Sequence, residues 1–191
     1  MSRITLLTPN KTHQAEVMAY RQAFSNHAID GGAMLEKFDD FSQWLDYLAQ
    51  PEGYLTPWGF NKVQDSTYLA WHTQLNRVVG IINIRHNLNN DYLRQFGGHI
   101  GYSVHPDFRK QGYGSEMLTL ALAKVKTLGL DKVLITCEES NVGSEKVILN
   151  NGGKFEAIVE FNQVKRVKRF WVDVLSCDMA NADASKACSD V

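Results

Sequence analysis

The chain has 191 residues, 44% of them hydrophobic and 21% charged, and a formal net charge of -1. That length and balance fit one globular domain with a sizeable core, expected over residues 1–175, with a small-residue, aperiodic tail over 176–191. The near-neutral charge leaves no field to draw the chain to nucleic acid or to a membrane surface, and no apolar run approaches the ~20 residues that a membrane span needs. Its 3 cysteines, Cys137, Cys177 and Cys188, are far apart and form no C-x-x-C pair for zinc or redox work. Reduced thiols, no metal centre and a cytoplasmic location are therefore expected.

Residues 4–7 read as a strand closed by Pro9-Asn10. A helix follows over 12–24, capped by Asn10 or Thr12, with Ala15, Met18, Ala19 and Ala23 on its inner side. Residues 26–37 read as loop. A second helix over 38–49 can take Asp39 or Asp40 as its cap and bury Phe41, Trp44, Leu45 and Leu48; paired aspartates at such a place complement a helix start better than they make a catalytic pair. The loop over 52–64, carrying Trp58 and Phe60, is long enough to border a binding site. Residues 67–72 and 78–86 alternate as an antiparallel hairpin.

A central strand over 99–104 is set by Ile100, Tyr102 and Val104 and stopped by Pro106, which has no N–H for a ladder. Past Gly114, a helix to about 128 shows one apolar face made by Met117, Ala121, Val125 and Leu128, with Leu118 and Leu122 beside it. Residues 132–137 then read as a short apolar strand, which makes a βαβ crossover. A short helix from about 138–144 to 150 ends at Asn151-Gly152-Gly153. A closing hairpin over 154–161 and 167–174 follows, with the basic run 165–169 as its solvated turn and strand start.

The segment Arg109-Lys110-Gln111-Gly112-Tyr113-Gly114-Ser115 lies between central strand and helix. Two glycines one residue apart at a helix start let the backbone approach a ligand and aim N–H groups at it from the positive end of the dipole, which suits a phosphate. From the glycines alone, a helix start with no ligand is an equally good reading. A P-loop is excluded because no lysine follows Gly114, and a dinucleotide fingerprint because Met117 stands where its third glycine belongs.

Taken with the preceding Val-His-Pro, the pattern R-x-x-G-x-G resembles motif A of the GNAT superfamily of acyl-CoA-dependent N-acyltransferases. The similarity runs along the order of elements up to about Val174. It includes Asn141, Ser144 and Asn151-Gly152 around the short helix. The wording Gly97-Gly98-His99-Ile100-Gly101-Tyr102-Ser103, Leu134-Ile135-Thr136-Cys137 and Asn150-Asn151-Gly152-Gly153, with Phe38-Asp39-Asp40-Phe41 and Arg169-Phe170-Trp171, resembles a bacterial subgroup of predicted acetyltransferases.

The resemblance implies an α/β fold with a mixed sheet of six to seven strands, about four helices and a β-α-β acyl-CoA-binding core. It implies acetyl-CoA as donor and an amine of a small molecule or peptide as acceptor, with no nucleic-acid or membrane partner; a homodimer is compatible with it. By matching position, the backbone of Tyr102, Ser103 and Val104 holds the pantetheine. Arg109, Lys110, Gln111, Gly112, Tyr113, Gly114 and Ser115 hold the pyrophosphate, with Asn141 and Ser144 beside them. The tyrosine acid and glutamate base of other members fall here at Ile148 and Thr136, which cannot do that work. His99 as base and Tyr102 as acid remain, with Cys137 as nucleophile or Glu138 or Glu139 as base through water as weaker readings. A GNAT-fold module that binds acyl-CoA without turnover is the alternative function.

Overall fold

The structure, a computed structural model, describes residues 2–25, 27–161 and 165–174; the expected tail at 176–191, with Cys177 and Cys188, lies outside them. The strands are β1 (Ile4–Leu7), β2 (Asp65–His72), β3 (Arg77–Arg85), β4 (Ile100–Val104), β5 (Lys132–Glu138), β6 (Lys154–Phe161) and β7 (Lys165–Asp173). They form one mixed sheet in the order β1-β2-β3-β4-β5-β7-β6. The helices of eight or more residues are α1 (Gln14–Gln22), α2 (Phe41–Leu48), α3 (Tyr113–Thr127) and α4 (Val142–Asn150). Among the described residues no helix is long and apolar enough to cross a membrane.

All neighbouring strands pair antiparallel except β4 and β5, which the α3 crossover makes parallel, as the apolar run of Met117, Leu118, Ala121, Leu122 and Val125 on α3 requires. These five side chains are buried against Val79, Ile82 and Ile84 of β3. Leu128 corrects the expected face: it lies just past the helix and is exposed. The opposite face of the sheet carries α1 and α2 over Leu69, Val78 and Ile81. Residues 78–84 of β3 are thus buried on both sides, the pattern of a central strand.

On α1 the inner side is Val17 and Tyr20, followed by Phe24, whereas Ala15 and Ala19 face outward. Alanine suits a helix on either face, so its spacing misleads where larger residues compete for the core. On α2, Phe41, Trp44 and Tyr47 are buried and Leu45 and Leu48 half-buried. Asp40 caps it by accepting from Ser42 N at 2.8 Å, while Asp39 pairs with Arg21 at 2.7 Å. Trp44 is fully buried, and its indole donates to Gly32 O at 3.0 Å; its truncation to alanine costs ~3–5 kcal/mol.

No residue of the loop over 52–64 lines the large cleft beside β4. Trp58 packs against Phe38 and Tyr47 at ring distances of 5.7 and 5.6 Å, which satisfies its aromatic surface on α2. The basic run is consumed by ion pairs: Lys165 with Glu138, Arg166 with Glu139, Lys168 with Glu145 and Arg169 with Glu156.

Candidate active site

The site begins where β4 and β5 part. His99 ties the two strands together at that point: its N–H donates to Leu134 O at 2.7 Å, and its ring Nδ1 accepts from Leu134 N at 2.9 Å. Beyond it the strands share one register position, Ile100 opposite Ile135, and then diverge. Arg85 N donates to His99 O, and His105 N to Val79 O. Hydrogen bonding in an antiparallel pair alternates, so the odd residues of β4 spend their main-chain groups on β3. Tyr102 and Val104 therefore turn theirs toward the diverging side, where β5 no longer meets them.

The gap widens into a cleft of about 1150 Å³. At one end it reaches the start of α3, where Lys110 (φ 59°) and Gly112 (φ 87°) are both left-handed and fold the loop into a concave turn. No side chain caps α3. The N–H groups of Tyr113, Gly114 and Ser115 meet no acceptor among the described residues, so three donors and the positive end of a 15-residue helix face the cleft. By contrast, α4 is capped by Asn141, which accepts from Ser144 N at 3.0 Å.

Several features hold this mouth in place. Arg3 bridges Glu116 at 2.9 Å, donates to Gln111 O at 3.1 Å and lies 4.1 Å over the Tyr113 ring. Arg109 Nε donates to Val104 O at 3.2 Å, fixing the end of β4. A Cβ on Gly114 would lie 3.0 Å from the Val147 side chain, a tight contact that glycine avoids where α4 packs on α3. Arg3 is a residue that motif reading missed, because its partners lie more than 100 positions away.

The side chains at the divergence are polar, with Tyr102 and Ser144 half-buried. Tyr102 Oη bonds Ser144 Oγ at 2.8 Å, and burial drives its phenol pKa well above the ordinary range, so its proton is held. Cys137 is buried, and desolvation together with the nearby Glu145 carboxylate pushes its thiol up to about 11. It is a protonated thiol at neutral pH and no nucleophile.

On the face carrying α1, Gly31 presses on β4: a Cβ there would lie 2.2 Å from Gly101 O. Its neighbour Asp30 thereby stands in the cleft wall. Asp30 is exposed at the cleft, yet desolvation by the surrounding walls raises its carboxyl pKa against the lowering pull of Lys165 and Arg85.

Of the residues expected from the sequence, Tyr102, Val104, Arg109, Lys110, Gly112, Tyr113, Gly114, Ser115, Asn141 and Ser144 all line this cleft. Three expectations need correction. His99 does not line it; its ring Nδ1 accepts from Leu134 N, and burial lowers its pKa to about 4, which fits a positioning role better than that of a base. Ser103 faces the cleft, but its main chain pairs with Ile81 and its Oγ lies 3.0 Å from Tyr20 Oη, so it cannot offer the free strand edge. Gln111 turns its amide back to Asp107 O at 2.9 Å and lies outside the lining. Asp30 and Arg85, which do line the cleft, went unnoticed in the sequence because no motif surrounds them.

An extended arm ending in a diphosphate fits this arrangement, with strand-like partners at Tyr102 and Val104 and three N–H donors beyond them. The fold is shared with spermidine/spermine N-acetyltransferase SpeG from Vibrio cholerae, solved in mutant forms (14% identity, 95% of this chain and 99% of that one, TM-score 0.64). It is shared with the Microcin C7 self immunity acetyltransferase MccE, solved with acetyl-CoA and AMP (15% identity, 91% and 93% coverage, TM-score 0.62). YncA from Salmonella typhimurium, solved with its cofactor acetyl-CoA, also matches (15% identity, 90% and 94%, TM-score 0.57). No functionally curated protein matches the sequence significantly. The family model for the acetyltransferase (GNAT) domain matches residues 3–154, and with that span the chain belongs to the GNAT acetyltransferase family, whose acyl donor is acetyl-CoA.

Proposed function

We propose that the protein moves the acetyl group of acetyl-CoA to a primary amine of a small molecule or peptide by direct attack of the amine. The observation that supports this best is the continuity of the β4 edge, at the main chain of Tyr102 and the N–H of Val104, with the uncapped start of α3 inside one cleft.

Acetyl-CoA supplies an acetyl group on a thiol leaving group. The chain supplies position and charge. Main-chain groups of Tyr102 and Val104 pair with the extended arm as a further strand would. The N–H groups of Tyr113, Gly114 and Ser115 take the diphosphate, with Arg109 and Lys110 at its rim. The Tyr102 phenol, kept protonated by its surroundings, is the acid beside the bond that breaks. Asp30, its carboxyl raised by burial, is the acceptor-side group placed to take the proton of an ammonium, directly or through water. Most of the rate gain comes from holding two reactants in line.

Thiol release from acetyl-CoA across a broad panel of primary amines tests this reading. Release with at least one amine class, lost in Tyr102→Phe while acetyl-CoA affinity stays at the wild-type value, is the expected result. Tight acetyl-CoA binding with silence across the panel would contradict it.

A further inference from the structure

We infer that the acceptor carries a carboxylate close to its amine and that the guanidinium of Arg85 receives it, an inference that rests on the amine-acetylation reading above. Arg85 is the last residue of β3 and lines the acceptor half of the cleft. Its Nη1 donates to Gly97 O and Gly98 O, both at 3.1 Å. Its Nε and Nη2 meet no acceptor among the described residues, and no carboxylate of those residues forms an ion pair with it.

The acids around Arg85 are engaged or stand apart. Asp65, opposite it across the β2–β3 pair, holds Lys62 and accepts from Asn83 at 2.7 Å. Glu138 is paired with Lys165. Asp30 faces it from the segment after α1 without bonding it. No carboxylate bonds this half-buried guanidinium, although Asp65 and Asp30 lie near enough to favour its charge and burial lowers its pKa, so a bonded counter-charge would offset its desolvation. Arginine nevertheless keeps its charge. Two free N–H groups on one edge of that planar fork match the two oxygens of a carboxylate.

Position agrees with chemistry. Arg85 Nη2 lies beside Gly101, one residue from Tyr102: a Cβ on Gly101 would stand 3.6 Å from it, with the Gly31 backbone packed on the same side, and both Arg85 and Gly101 line the cleft. A carboxylate bound there leaves an amine one or two bonds away within reach of the β4 edge. The rings of Phe96 and Phe161, 4.7 Å apart, form an apolar wall for the rest of the molecule.

The test compares phenylalanine with phenylalaninamide, and lysine with lysinamide, as acceptors for the wild type, Arg85→Gln and Arg85→Lys. The readout is the acid-to-amide ratio of kcat/KM; comparing that ratio between proteins cancels the different basicities of the amines. The ratio should fall at least tenfold in Arg85→Gln and by a smaller factor in Arg85→Lys, which keeps the charge but loses the fork. Arg85→Lys also keeps a donor for Gly97 O, so it reads the effect if the glutamine variant does not fold. An unchanged ratio in a folded variant would overturn the inference, and so would equal handling of acid and amide by the wild type. If no amine is acetylated, calorimetry on the CoA-loaded protein takes over. Phenylalanine binding that weakens at least tenfold in Arg85→Gln keeps the carboxylate site while the transfer reading falls. No binding of either amino acid overturns the carboxylate site itself.

Discussion

In the half of the cleft proposed for the donor, the groups on offer are main chain: the edge of β4 and the N–H groups that open α3. In the half proposed for the acceptor they are side chains drawn from distant segments, Asp30 after α1, Arg85 on β3, Tyr102 on β4 and Glu138 on β5. Main-chain recognition needs only a backbone shape, so it tolerates many side chains and is written as a short glycine pattern. Side-chain recognition depends on which residues the fold gathers, so it can be rebuilt without disturbing the donor site. One frame can therefore keep its donor while its acceptor changes.

Variants in the two halves should part along the same line. The largest effect belongs to Tyr102→Phe, which removes the acid: kcat should drop on the order of 100-fold, with acetyl-CoA affinity unchanged in equilibrium titration. A loss of affinity instead would make Tyr102 a donor-site residue and blur the comparison. Next comes Gly112→Val, which places a β-branched side chain at φ 87° in the concave turn. The Kd for acetyl-CoA should rise at least tenfold, ~1.4 kcal/mol or more, as read by calorimetry.

A smaller effect concerns His99, which lies between the halves. In the unfolded chain its imidazole takes up a proton near 6.5, whereas burial in the fold defers this to about 4. Between those values the unfolded state binds more protons, so stability falls as pH drops from about 6.5 to about 4 and is untouched above. Urea melts of His99→Gln should show a shallower loss across that window, and its turnover profile between about pH 6 and 8 should keep the wild-type shape. A profile that loses an inflection there would restore His99 as a base. Smallest is Asn141→Ala, which uncaps α4 and should cost about 1 kcal/mol in the same melts.

The strands were legible because apolar and β-branched residues alternate across turn signals, and the crossover followed from a helix joining two short apolar strands. The donor site was legible for a related reason: Arg109 to Ser115 are contiguous, so loop and helix start are local. His99 misled because its left-handed neighbour Gly98 (φ 64°) lets its ring turn onto Leu134, a choice that depends on a partner 35 positions away. Trp58 misled because an aromatic loop needs a partner, and whether that partner is a ligand or α2 is decided by packing. Arg85 and Asp30 left no local mark at all; only the folded sheet shows that one has no carboxylate ion pair among the described residues and that desolvation by the cleft walls raises the other.

The most direct test of the account is a crystal structure of the complex with coenzyme A. It should show diphosphate oxygens within hydrogen-bond distance of the N–H groups of Tyr113, Gly114 and Ser115, and the pantetheine lying along Tyr102 and Val104. A diphosphate bound away from the start of α3, with those three donors facing only water, would contradict it.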